Sequence, residues 1–373
     1  MPICRQLKTE LDAIRALATE FDAAFDHVKE TGDMAEAKAL KARIEEKMAS
    51  LKEKLWPFES LSKKEMQEQY ESQMALCRER GLLQTLSGKQ EGIKDERGNE
   101  YLPPAFEEVL AALKTEAVYR ETIETFEKPL VLITPFALPP QTMVDAYGKQ
   151  IGEHFVEKTT KGDRRIPDRN KTRLLGVDRE PLELRVDGRN VFFSDSLENP
   201  TYYFPQWNKD AERVKATGGM TKQEAITRLN GWAITIVEDI SLAPEKGQGK
   251  TKRKEITIKG AAKTIERKQV EGGLDVAQQY ALLQQHNEEG LTPEEYIFFA
   301  MLHLRQSNSV LDDDRETAYY CRLLGVATAS GAVPYAYWNR DYRQAFLGGY
   351  DLGGRGGYYG VRSGVRVHPV KKA

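Results

Sequence analysis

The side chains able to do chemistry are few and lie far apart. His27, His154, His286, His303 and His368 show no His-Glu-x-x-His or other paired spacing, so they read as surface or packing residues and no zinc site follows. Cys4, Cys77 and Cys321 are an odd number without a Cys-x-x-Cys pair, which argues for a reducing compartment and against a disulfide framework or a cysteine metal centre. Asp312-Asp313-Asp314 is the densest acidic run. Three consecutive acids do not all face one ion on a helix or strand, so a solvated turn is expected there. Gly247-Gln248-Gly249-Lys250-Thr251 lies near a phosphate-loop pattern, but Pro244 stands where the opening glycine belongs. Nucleophile-elbow, dinucleotide and kinase signatures are missing as well, so neither catalysis nor a cofactor is expected.

The one unusual stretch is Tyr335 to Gly360, with eight aromatics and seven glycines in twenty-six positions and neither lysine nor glutamate. Tyrosine offers a large, stiff, amphipathic contact surface at low rotamer entropy, while glycine frees the backbone to turn, a mixture that binding loops favour. Trp338 and the alternation Val361, Ser363, Val365, Val367 read as packed residues on a closing strand.

The runs Tyr337-Trp338-Asn339-Arg340-Asp341, Arg343-Gln344-Ala345 and Gly360-Val361-Arg362-Ser363-Gly364-Val365-Arg366-Val367 resemble the carboxy-terminal end of variable proteins of diversity-generating retroelements. That resemblance implies a C-type-lectin-type domain and a surface rewritten by an error-prone reverse transcriptase acting on template adenines. Asparagine codons so mutated do not reach Lys, Glu, Met or Trp, and none of the four occurs from Asp341 to Gly360. It also implies ligand contact by Tyr337, Asp341, Tyr342, Phe346, Gly348, Gly349, Tyr350, Leu352, Gly354, Arg355, Gly356, Tyr358 and Tyr359. Formylglycine-generating enzymes share the implied fold, but their chemistry requires a cysteine pair, and Cys321 is the only cysteine in this part of the chain.

The elements that would carry this surface are readable from periodicity. Leu7, Leu11, Ile14, Leu17, Phe21, Phe25 and Val28 form one helical stripe, and Ala37, Leu40, Ile44, Met48, Leu51 and Leu55 form a second, with Asp33 and Glu36 as a capping box between them. Ser62 and Glu65 cap a third helix that Gly81 stops, and residues 104 to 126 read as helical. Strands are expected at Leu130–Ile133, at Val191–Phe193, around Tyr202–Phe204 and at Trp232–Val237. Helices are expected from Thr142 to Phe155 and from Thr292 onward. Two basic segments, Glu157–Arg173 and Glu245–Lys268, lack apolar periodicity and read as solvated or disordered loops.

With 373 residues the chain is long enough for two domains, and Lys plus Arg of 55 against Asp plus Glu of 57 makes whole-chain nucleic-acid binding unexpected. No twenty-residue apolar run or secretory signal is present, so no membrane insertion and a cytoplasmic or virion-associated location are expected. The expected fold class is α+β: a helical hairpin or bundle over 1–126, then a C-type-lectin-type ligand-binding domain over 127–373 with its variable region at about 335–362. The expected function is non-catalytic binding of a ligand, expected to be a protein, with self-association or docking through the helical part. The alternative is a structural or virion-associated assembly protein whose hairpin oligomerises.

Overall fold

The computed structural model describes residues 2–31, 34–54, 56–154, 158–159, 165–166, 172–185, 187–198, 202–209, 214–258, 261–314, 320–350 and 359–368. The architecture is mixed α and β, with helices in the amino-terminal third and strands concentrated behind them. Helices Pro2–Thr31 and Ala35–Lys54 pack on each other through Leu17, Ala24, Ala37 and Leu40, a cluster separate from the main core. The expected cap at Asp33 lies outside the described residues.

Ser62 opens the helix Lys63–Glu79: its hydroxyl accepts from the Glu65 N–H, the Glu65 carboxylate accepts from the Ser62 N–H, and Gly81 follows at φ +69°. The stretch read as a single helix over 104–126 is two, Phe106–Leu113 and Ala117–Thr125, broken at 114–116. Ahead of them a small meander, Gln84–Thr85, Glu91–Lys94 and Glu100–Tyr101, carries no strand-like run that would reveal it in sequence.

A four-stranded antiparallel sheet runs in the order Glu289–Gly290, Ser363–Val367, Ala233–Glu238, Pro129–Thr134. Its outer strand, Pro129–Thr134, would leave backbone groups unpaired, a costly state when buried. The helix Lys63–Glu79 satisfies them with two glutamines one turn apart. Gln69 bridges Pro129 O and Val131 N at 3.0 and 3.1 Å, and Gln73 bridges Val131 O and Ile133 N at 2.9 and 2.8 Å. Side chains from Phe58 to Val367 therefore share one hydrophobic core that continues across residue 126.

The basic segment 245–268 is not a loop. Thr251–Ile258 and Ala261–Lys268 pair as an eight-residue antiparallel hairpin. Its cations are neutralised by acids and carbonyls brought from elsewhere. Lys254 contacts Glu124, Lys250 meets Glu127 at 2.8 Å, Lys263 meets Glu121 at 2.6 Å, and Arg267 bridges Glu238 and Glu288 at 2.9 and 2.5 Å. A run of like charge has no apolar period to betray a strand, and its partners lie more than a hundred residues away in several cases. Most of the other basic segment, 157–173, lies outside the described residues.

Asp312-Asp313-Asp314 is likewise not a solvated turn. Asp312 and Asp313 are fully buried, and each is held by an arginine, Arg362 and Arg340 respectively. Among the described residues no group of His, Cys, Asp and Glu is arranged to hold a metal ion.

Candidate ligand-binding face

A five-stranded sheet holds the first half of the Tyr/Gly segment. Its order is Tyr359–Val361, Tyr320–Arg322, Val333–Asn339, Gln344–Tyr350, Val191–Phe193. Successive side chains of a strand point to opposite faces, and directly paired residues share a face. The register therefore sorts the segment in two. Pro334, Ala336 and Trp338 alternate with Tyr335, Tyr337 and Asn339, and of the first set Ala336 and Trp338 join the main core.

The second set builds an aromatic row. The register pairs Phe192 with Phe346, Phe346 with Tyr337, Tyr337 with Tyr320 by continuation of its ladder, and Tyr320 with Tyr359, one ring from each of five strands. Ring centroids along the row are 4.3, 5.3, 4.8 and 5.3 Å apart. Tyr335 stacks beside it, 5.8 Å from Phe346 and 5.3 Å from Tyr320. Such pairs are worth roughly 0.5–1.5 kcal/mol each beyond their burial, so the rings hold one another in place before any ligand arrives. Gly348 is required here: a β-carbon would come within 2.7 Å of the Phe346 ring and 3.2 Å of the Tyr335 hydroxyl.

The row is anchored at one end and at its centre. At one end the Arg322 guanidinium lies 4.6 Å from the Tyr359 ring while donating to Leu274 O and Gln279 Oε1 at 2.9 and 2.8 Å. Gln279 in turn donates to Tyr359 O at 2.8 Å. At the centre Asn339 donates to the Tyr337 hydroxyl at 2.9 Å and accepts from the Tyr342 N–H at 2.8 Å, which ties the row to the turn. Arg340 bonds Asp313 and Asp178, and its N–H donates to Asp314 at 2.8 Å. Burial raises the Asp314 carboxyl to about 6, reinforced by Asp313 and Asp341, although the Arg340 N–H opposes the shift.

This shift has a testable sign. A carboxyl raised in the folded state binds its proton more tightly there than in the unfolded chain, so stability falls as pH rises from about 4 to about 6. Asp314→Asn is expected to abolish that decline. Denaturation midpoints of the two proteins should converge toward pH 4 and separate, with the variant more stable, above pH 6; parallel curves would exclude the effect.

The residues expected to contact ligand are distributed unevenly. Phe346 and Tyr359 lie half-buried in the row, Tyr337 lies in it at 7% exposure, and Gly348 is buried beside it. Asp341 and the 60% exposed Tyr342 sit on the turn between Val333–Asn339 and Gln344–Tyr350. Gly349 faces the opposite side, toward Ser196 and Thr328. Tyr350 pairs with Val333 through its backbone, while Leu352, Gly354, Arg355, Gly356 and Tyr358 lie outside the described residues. Phe192, Tyr320 and Tyr335 complete the row without having been singled out in sequence. Tyr335 was findable from its alternation with Tyr337, whereas Phe192 and Tyr320 are brought in by pairing over long sequence distances.

Arg362, Gly364 and Arg366, which follow the Tyr/Gly segment, are buried. Arg362 is bonded to Asp312 at 2.6 and 3.0 Å, and Arg366 to Glu295 and to Gly290 O. A β-carbon on Gly364 would fall 2.5 Å from Ile236 O. Compared with protein-family models, curated proteins and solved structures, the chain finds no match.

Proposed function

We propose that the chain is a non-catalytic ligand-binding protein whose carboxy-terminal, C-type-lectin-type domain displays a surface diversified by a retroelement. The observation that carries this reading is the aromatic row: one ring from each of five strands, aligned on one face, with Trp338 on the opposite, core-facing side. A rigid aromatic surface on a sheet gives contact area at little entropic cost, while the framework beneath tolerates change above it. Cytoplasmic or virion-associated placement belongs to the same proposal. Among the described residues no helix is long and apolar enough to cross a membrane.

The test is a library with the exposed Asp341 and Tyr342 randomised, panned against protein mixtures. Most members should melt cooperatively near the parent temperature, since exposed substitutions usually shift stability by within about ±0.5 kcal/mol. For a ligand captured by the parent, Phe346→Ala should weaken binding roughly ten- to a hundredfold, about 1–3 kcal/mol. Affinity unchanged by Phe346→Ala, or collapse of most library members, would reject the reading.

One observation favours the alternative of an assembly protein whose hairpin oligomerises. Among described side chains, the two long amino-terminal helices bury only Leu17, Ala24, Ala37 and Leu40 between them and leave Phe25 46% exposed. An apolar ring left that exposed on the hairpin is open to contact with a second copy. A monomer in light scattering would remove this alternative.

A further inference from the structure

At the Phe192 end of the aromatic row, an open cleft of about 800 Å³ lies between the helix Pro140–Gly152, Arg185 with residues 188–192, and the turn that carries Tyr342. The two glycines of that helix facing the segment allow the close approach: a β-carbon on Gly152 would come within 2.9 Å of the Asn190 amide, and one on Gly148 within 3.6 Å of Val191. Phe192 and Tyr342, 41% and 60% exposed, both line the cleft. So does Gln344, a mostly buried residue.

The charges lining the cleft do not cancel. Glu153 is neutralised by Arg80 at 2.7 Å, and Arg185 by Asp187 at 2.9 and 2.5 Å. Asp145 accepts from the Gln141 amide at 2.7 Å. Lys149 makes no ion pair with a described residue, and the largely exposed Arg189 comes only within 3.8 Å of Asp187. Two cations from two different elements thus stand against one carboxylate, around a floor of exposed rings and an amide.

We infer that this cleft is a binding site for an acidic peptide segment of a partner protein, one that alternates carboxylates with apolar side chains. A single phosphate would call for cations converging from one element on one point. Here Lys149 belongs to the helix and Arg189 to the segment opposite, a spacing suited to charges spread along a chain. The rings take the intervening apolar side chains, and the Gln344 amide offers both a donor and an acceptor to a peptide backbone. The inference goes beyond the diversified face, because Lys149 and Arg189 lie outside the 335–362 region.

The experiment titrates the full-length protein calorimetrically with a six-residue peptide alternating glutamate and phenylalanine, with its glutamine-for-glutamate and lysine-for-glutamate counterparts, and with inorganic phosphate. The acidic peptide should bind at least about tenfold more tightly than either counterpart, with affinity falling as salt rises. The double variant Lys149→Glu/Arg189→Glu should lose about tenfold while keeping its thermal midpoint, since both side chains are on the surface. Gln344→Leu should lose affinity at unchanged salt dependence. Equal binding of the neutral peptide, displacement by stoichiometric phosphate, or indifference to the double variant would each overturn the inference. None of these substitutions is in the aromatic row, so failure here and failure of Phe346→Ala are separately visible.

Discussion

Arg362→Met is expected to destabilise the fold by about 3–5 kcal/mol, because it strands a buried carboxylate. Arg362 and Asp312 are 3% and 0% exposed at the side chain and joined by two hydrogen bonds, with the Arg362 guanidinium 5.2 Å from the Phe299 ring. Asp312 also accepts from the Ala243 N–H at 3.0 Å and sits at φ +50°, so it fixes a left-handed turn as well as a charge. The methionine keeps the packing volume and removes only the countercharge. Adding Asp312→Asn should recover much of the loss, because asparagine accepts the same N–H, tolerates the backbone angle and carries no charge. Urea denaturation of the two single variants and the double variant checks this. An Arg362→Met midpoint within about 1 kcal/mol of the parent, or no recovery in the double, would show that the pair does not carry this weight.

Trp338→Ala should cost a comparable amount, about 3–5 kcal/mol, through the cavity left by a large ring. Trp338 is 1% exposed within the main core, and its indole N–H has no partner among the described residues, so its contribution there is packing. Its backbone also stitches two segments together: Trp338 N donates to Asp312 O, and Asp314 N donates to Trp338 O, both at 2.9 Å. Tyr337 and Asn339 flank it on the opposite face, so loosening the indole should disorder the row and its turn together. Trp338→Phe should lose less than half as much. Chemical denaturation read alongside near-ultraviolet circular dichroism, which reports the packed rings, distinguishes the outcomes. A stable Trp338→Ala protein with an unchanged aromatic signal would contradict this account.

Local patterns in the chain carried much of the framework. Ser62 with Glu65 and Thr292 with Glu295 form the capping boxes that their spacing announces, because a cap is a contact between residues three apart. The apolar run at Leu130–Ile133 and the one after Trp232 lie in paired strands, and Trp338, Val361, Val365 and Val367 are buried as their alternation implies. The concentration of tyrosine and glycine falls in the sheet that carries the aromatic row, where Tyr337, Phe346 and Tyr359 stand. What escaped local reading depends on partners remote in sequence. The arginines of the final strand look solvent-facing by alternation, but the face they occupy is covered and supplied with Glu295 and Asp312. The basic stretch around Lys254 becomes a hairpin because Glu121, Glu124 and Glu127 receive it. Phe192 and Tyr320 enter the row because backbone register, set by hydrogen bonds between strands up to 154 residues apart, puts their rings beside Phe346 and Tyr337. Charge neutralisation and strand register are properties of pairs, and no single segment contains both members of these pairs.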